Sequence, residues 1–219
     1  MKEENVVTKV FKSFMSMVVT VFLLASLTVI ASAQTPPGYV HKEETLTYEC
    51  NVRILPLINI DFPMDLTIRA DVPVSVAQLQ DFNLLNGSAT AIVPGSIIQI
   101  LDSILGWNYV SGTVDKFEIL SENQSKVIDL SPLPIPTLEV PKDGSPLVFT
   151  VPEVGVINVE SLTAGEYNSD IPHEENVVII KSGNISATFM TAGGGLPIPL
   201  NANCQPPSNN TLVKIQIKP

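Results

Sequence analysis

The chain has 219 residues, of which 45% are hydrophobic and 16% charged, and its formal net charge at pH 7 is −10. An acidic surplus of that size argues against nucleic acid and anionic membranes as partners, because binding either depends on lysine and arginine releasing counterions. Two cysteines and two histidines leave little material for a metal centre, while the apolar share is ample for a folded core.

The first element is a leader. Lys2, Lys9 and Lys12 precede an apolar run from Phe14 to Ile30 that is broken only by Ser16, Thr20, Ser26 and Thr28. It closes on Ala31-Ser32-Ala33, whose small residues at the first and third positions suit a signal peptidase. Residues 1–33 are therefore read as a signal peptide cleaved between Ala33 and Gln34. The alternative is a retained anchor, since about 17 apolar residues is the lower limit for a spanning helix. No later segment is long and apolar enough to span, Gln34 offers no thiol for a lipid, and Ile215 to Pro219 is not a hydrophobic tail, so no membrane attachment is expected after cleavage.

Residues 34–219 are expected to form a single domain, with nine basic and twenty acidic residues and a formal charge of −11. Spread over a surface, that charge favours solubility. Cys50 and Cys204 are the only cysteines. In an oxidising compartment an even pair reads as a disulfide, here a tie between the two ends of the domain. Closing a loop of 154 residues is worth at most about 5 kcal/mol in the chain-entropy model. Metal binding by the pair is not expected, because the only histidines are His41 and His173 and no close ligand cluster surrounds either cysteine.

In chain order, short runs rich in Val, Ile, Thr and Leu alternate with Pro and Gly, the pattern of many short strands. Thr45 to Val52 places Leu46, Tyr48 and Cys50 on one face, and Met64 to Ala70 turns Leu66, Ile68 and Ala70 inward. Further strands are expected at Gly87 to Val93, Tyr109 to Leu120, Lys126 to Leu130, Leu147 to Val151, Gly155 to Leu162, Val177 to Lys181, Asn184 to Thr191 and Thr211 to Ile217. Ten strands at this spacing predict an all-β fold, an antiparallel β-sandwich.

One segment departs from the β pattern. Between Pro94 and Gly106, residues Ile97, Ile98, Leu101, Ile104 and Leu105 share a helical face. Ser96 and Gln99 have the spacing of a capping box, and Gly106 suits a left-handed stop. This predicts one short amphipathic helix lidding an open end of the sandwich, sealed by Trp107. The proline-dense Leu130 to Pro141 is expected as an extended edge or a crossing, and Leu196-Pro197-Ile198-Pro199-Leu200 as a second edge after a glycine turn at 193–195.

The search for chemistry returns little. No Gly-x-Ser-x-Gly elbow, paired-histidine motif or phosphate-cradling glycine loop occurs, so no catalytic, cofactor-binding or metal residue is assigned. The one polar cluster is Glu166, Asp170, His173, Glu174 and Glu175, with Tyr167 and Pro172 among them. Its spacing matches no cation loop, and a solvated connection is the simpler reading. Sequons stand at Asn86, Asn123, Asn184 and Asn209, glycan sites only in a glycosylating host.

The order of several short stretches resembles a family of exported domains of unknown function, found mostly in Gram-positive bacteria. These are Leu46-Thr47-Tyr48-Glu49-Cys50, Leu66 to Pro73, Ser111-Gly112-Thr113, Val140 to Thr150, and Asn203-Cys204-Gln205-Pro206-Pro207. The resemblance implies an all-β domain with its cysteines bridged near the two ends, and brings no activity. This chain carries more Ile, Asn and Glu than the usual Ala- and Thr-rich texture of that family.

The expectation is thus a secreted or cell-surface, non-catalytic domain with a structural or adhesive role in the envelope, its partner a cell-wall polymer, surface polymer or protein. Two alternatives have structural requirements. A carbohydrate-binding module needs two or more coplanar exposed aromatics on one face, for which Trp107, Tyr109, Tyr167 and a few phenylalanines are the candidates. A hydrolase with an uncommon site needs the 166–175 cluster to line a cleft.

Overall fold

Three long strands each share one edge between two short ones, and this branching organises the molecule. The structure is a computed structural model that describes residues 35–54, 58–122, 126–153, 155–193 and 197–219. Ala33 and Gln34, the expected cleavage site, and the sequon at Asn123 lie outside the described residues.

The strands are β1 (Tyr39–Ile54), β2 (Ile58–Pro73), β3 (Ser75–Ala77), β4 (Asp81–Val93), β5 (Tyr109–Ser121), β6 (Lys126–Asp129), β7 (Leu133–Glu139), β8 (Leu147–Val151), β9 (Ile157–Thr163), β10 (Val177–Ala192), β11 (Pro199–Gln205) and β12 (Thr211–Lys218), and helix α1 spans Gly95–Leu105. The fold is all-β with one helix, as expected.

The layers of the sandwich belong to one hydrogen-bonded network, ordered β3-β12-β10-β11-β1-β2-β4-β8. Its β3–β12 pair is parallel and every other ladder antiparallel, so the sheet is mixed. The far half of β4 pairs with β8 and its near half with β9. Likewise β5 pairs with β7 and then β6, and β10 with β12 and then β11. No ladder joins β7 to β8 among the described residues, so the ring is not closed.

Register shifts fall near the places where β4 and β10 change partner, at Leu84/Gly87 and Ser182/Ile185, and another lies at Arg69/Asp71 in the β2–β4 ladder. Extra residues at such bulges increase local twist and bend a strand. The buried hydrophobic side chains form one continuous core, and Phe117 lines both of its apolar cavities.

Alternation places Leu46, Tyr48 and Cys50 in the core as expected, with Leu66 buried and Ile68 and Ala70 half-buried. Other expectations are corrected. Val177–Lys181 and Asn184–Thr191 form one strand, because Ser182 to Asn184 make a bulge and not a turn. The expectation for residues 130–141 holds: they contain an edge strand, β7, paired only with β5 among the described residues. The second proline motif is no edge: β11 lies between β10 and β1. Pro199 is tolerated there because it is the strand's first residue and pairs only with Met190.

The helix has no capping box. Pro94 is the N-cap, its carbonyl accepting from Ile97 and Ile98, which places Ser96 inside the first turn. Gly106 ends it in the left-handed conformation, with φ 59°. Ile98 and Leu101 are buried, but Ile104 faces outward with Ile100.

Candidate functional site

The acidic cluster is a surface connection. Glu166, Asp170, His173, Glu174 and Glu175 are all exposed, and the Tyr167 hydroxyl lies 3.4 Å from His173 Nδ1. Buried Asn176 organises the segment, donating to the Asn168 and Pro172 carbonyls and accepting from the Asn168 amide. The cluster lines neither of the two apolar cavities. Among the described residues, no group of three or more His, Cys, Asp or Glu is placed to hold a metal ion.

A second polar node is absent from the sequence reading. Asp71 is 1% exposed, and its carboxylate accepts from His41 Nδ1 at 2.9 Å, Asn86 Nδ2 at 2.7 Å and Thr35 Oγ1 at 3.3 Å. His41 and Asp71 face each other across β1 and β2, while Asn86 sits in the β4 bulge with φ 53°. Burial alone would raise the Asp71 carboxyl. The hydrogen bonds from Asn86 and His41, with the His41 charge and the Thr35 hydroxyl, outweigh it and hold the group below the usual carboxylate value. A histidine oriented by a buried carboxylate has two parts of a triad, but no hydroxyl or thiol is hydrogen-bonded to His41 among the described residues. The node pins the start of the domain to the bulge. Spacings of 30 and 15 residues offered no local signal for it.

Cys50 and Cys204 are bridged. They are direct register partners on β1 and β11, one pair in from the end of a ladder that runs from Glu49–Gln205 to Ile54–Leu200. The bridge thus joins adjacent internal strands, which the phrase "two ends" describes in sequence alone.

Beneath α1 lies an apolar cavity of about 80 Å³, lined by hydrophobic side chains from seven strands, the helix and Trp107. Its origin is visible in the sequence. Ala89 and Ala91 on β4, Ala187 on β10 and Ala202 on β11 all face it, and Ala187 is the register partner of Ala202. Methyl groups at four facing positions cannot fill space that a Leu or Ile would occupy. At ~24 cal/mol per Å³, a void of about 80 Å³ costs about 2 kcal/mol.

The lid is clasped. Lys142 Nζ donates to the Asp102 carboxylate on α1 and to the Trp107 carbonyl, and Gly95 packs so closely on the Gly144 carbonyl that a Cβ would lie 1.8 Å from it. Trp107 is 3% exposed and seals the chamber as expected, yet its buried indole Nε1 has no acceptor among the described residues. Tyr109, 45% exposed, is the one exposed Phe, Tyr or Trp among the described residues. The candidate aromatics therefore do not make a stacking platform.

The sequons differ in their surroundings. Asn184 and Asn209 are exposed, whereas the Asn86 amide is committed to Asp71.

Comparison with known proteins gives one match. A model for a family of unknown function (DUF6801) matches residues 47–210. Neither the curated proteins nor the solved structures contain a match to the chain.

Proposed function

The chain belongs to this DUF6801 family of unknown function, and from that premise we propose that it is a secreted, non-catalytic β-domain of a Gram-positive bacterial envelope, acting by structure or by binding a surface polymer or protein. The observation that carries the reading is the Cys50–Cys204 bridge set inside the sheet between directly paired strands. A disulfide at such a position persists in an oxidising compartment and is rare where thiols are kept reduced. The leader ending at Ala33, and a surface with more than twice as many acidic as basic residues, agree with export and solubility. No described helix is long and apolar enough to cross a membrane. The polar groups that converge, around Asp71 and Asn176, have their hydrogen-bonding capacity spent on the fold.

The test is fractionation of a culture into medium, wall, membrane and cytoplasm, with intact mass measured before and after reduction. The expected species begins at Gln34, lies outside the cytoplasm and gains two hydrogens on reduction. A cytoplasmic protein with two free thiols overturns the proposal.

A further inference from the structure

We propose that the slot between β1 and β12 is a docking site for one extended, uncharged peptide segment of another surface protein, bound as an added strand with a small aliphatic side chain in the cavity behind it. This rests on the reading above that the protein acts by binding, and names the chemistry of the partner.

The slot lies where the hydrogen-bonded network parts. β11 and β12 follow one another along one edge of β10, opposite β5. β1 pairs with β11 from Glu49 to Ile54 but forms no ladder with β12, and β3 covers only Gln216 to Lys218 on the outer edge of β12. Between them is an opening of about 610 Å³, lined by Lys42 to Glu44 of β1 and by Asn209 and Thr211 to Lys214. Lys42 and Glu44 continue the inward register of Leu46 and Tyr48, yet both are exposed, because β12 does not close over them.

Both walls present main-chain groups to the slot. The Ile217 N–H donates to Asn176 on the β10 side, while the Lys218 carbonyl accepts from Gln78 on the other. Alternation along β12 therefore turns the Lys214 N–H and C=O towards the slot. On β1 the Gly38 carbonyl accepts from Val74, so even-numbered residues bond β2 and the Glu43 N–H and C=O face the slot. Neither Glu43 nor Lys214 has a ladder partner on that side among the described residues. A single extended segment satisfies two facing edges at once, and the edge of a folded sheet cannot enter a gap walled on both sides. β3 sets the direction: it lies parallel to β12, the sense that is antiparallel to β1.

Side chains and charge select the segment. Alternate residues of an added strand point inward. There an apolar cavity of about 50 Å³ shares Lys42, Glu44, Leu212 and Val213 with the slot. A dry cavity of about 150 Å³ admits benzene. One of about 50 Å³ has room for a side chain the size of valine and none for an aromatic ring. The charges lining the slot cancel, Lys42 and Lys214 against Glu43 and Glu44, so a strongly charged segment or polymer gains nothing there.

The experiment titrates the purified, disulfide-bonded protein into a dye-labelled, end-blocked pentapeptide of alternating threonine and valine, following fluorescence anisotropy. The expected result is saturable binding that salt leaves unchanged, and weaker binding when phenylalanine or lysine replaces the valines. Lys214→Pro removes a main-chain donor from the slot without touching the β10 ladder, and weakens binding about fivefold, the worth of one neutral hydrogen bond. Glu43→Pro does the same from the opposite wall and serves if the first variant does not fold. Ala70→Leu fills the cavity from β2 and weakens binding of the valine peptide. Absence of saturable binding, binding unchanged in both proline variants, or a phenylalanine peptide bound as tightly each overturns the proposal. Dimerisation in sedimentation that is lost in Lys214→Pro overturns the choice of occupant in favour of a second copy. Because the isolated protein is titrated, these failures leave export untouched, and fractionation tests that separately.

Discussion

The Tyr48 hydroxyl donates to the Gly183 carbonyl at 3.2 Å, joining residues 135 apart in the chain, and the Ser182 hydroxyl meets the same phenolic oxygen. Tyr48 is wholly buried on β1, and Ser182 and Gly183 form the bulge between the part of β10 paired with β12 and the part paired with β11. Tyr48→Phe leaves the buried partners without their hydroxyl and is expected to destabilise the protein by about 1–3 kcal/mol, read from urea unfolding. Burial pushes the Tyr48 phenol up to about 12, against the opposing effect of the Ser182 bond. Its contribution is complete below the unfolded value near 10 and is lost as pH rises towards the folded one. The alkaline fall in stability should therefore be shallower in Tyr48→Phe than in the native protein.

Asp71 governs the acid limb. Because its folded pKa is lowered, its stabilising contribution is present above the unfolded value of about 3.9 and is lost as pH falls through the folded value. Asp71→Asn should destabilise by roughly 2–4 kcal/mol at pH 7, since Asn86 and His41 then face an amide in a buried site. The gap between native protein and variant should narrow in acid; urea midpoints that differ equally at pH 7 and pH 2.5 would contradict this role.

Removing the bridge with Cys50→Ala and Cys204→Ala should lower stability by about 2–5 kcal/mol through the entropy of the unfolded chain. The ladder from Glu49–Gln205 to Ile54–Leu200 remains, so far-ultraviolet circular dichroism should be unchanged while the urea midpoint falls.

Gly112, in the middle of the Ser111-Gly112-Thr113 stretch, lies where β5 passes β10, and a Cβ there would stand 2.3 Å from the Thr188 carbonyl. Gly112→Ala should cost about 1–3 kcal/mol by forcing the two backbones apart, measurable as a drop in Tm.

Expression in a glycosylating eukaryotic host distinguishes the sequons. Mass spectrometry should find glycans at exposed Asn184 and Asn209 and none at Asn86, whose Nδ2 is held by Asp71 at 2.7 Å. Full occupancy at Asn86 would show that the node does not form before the glycan is added.

Local pattern was a good guide where burial repeats over a few residues. Leu46, Tyr48 and Cys50 could be placed inward from alternation alone, and the helix from Ile97, Ile98 and Leu101, because each period is set by neighbouring residues. Ile104 and the absent capping box went astray because the helix begins at Gly95, tight against Gly144. Pro199 read as an edge because proline forbids ladder donors, yet one strand-initial proline leaves six following residues free to pair.

The sequence by itself determined that the chain is β-rich with one helix, acidic, and provided with a single cysteine pair, since composition and short-range periodicity carry that information. Only the tertiary structure decided that Cys50 faces Cys204 across one ladder, that Asp71 gathers Thr35, His41 and Asn86, and that four alanines face one void under Trp107. Each of these depends on register between strands distant in sequence, and register is settled by the burial of whole faces at once and by where the bulges fall, which no short stretch of residues encodes.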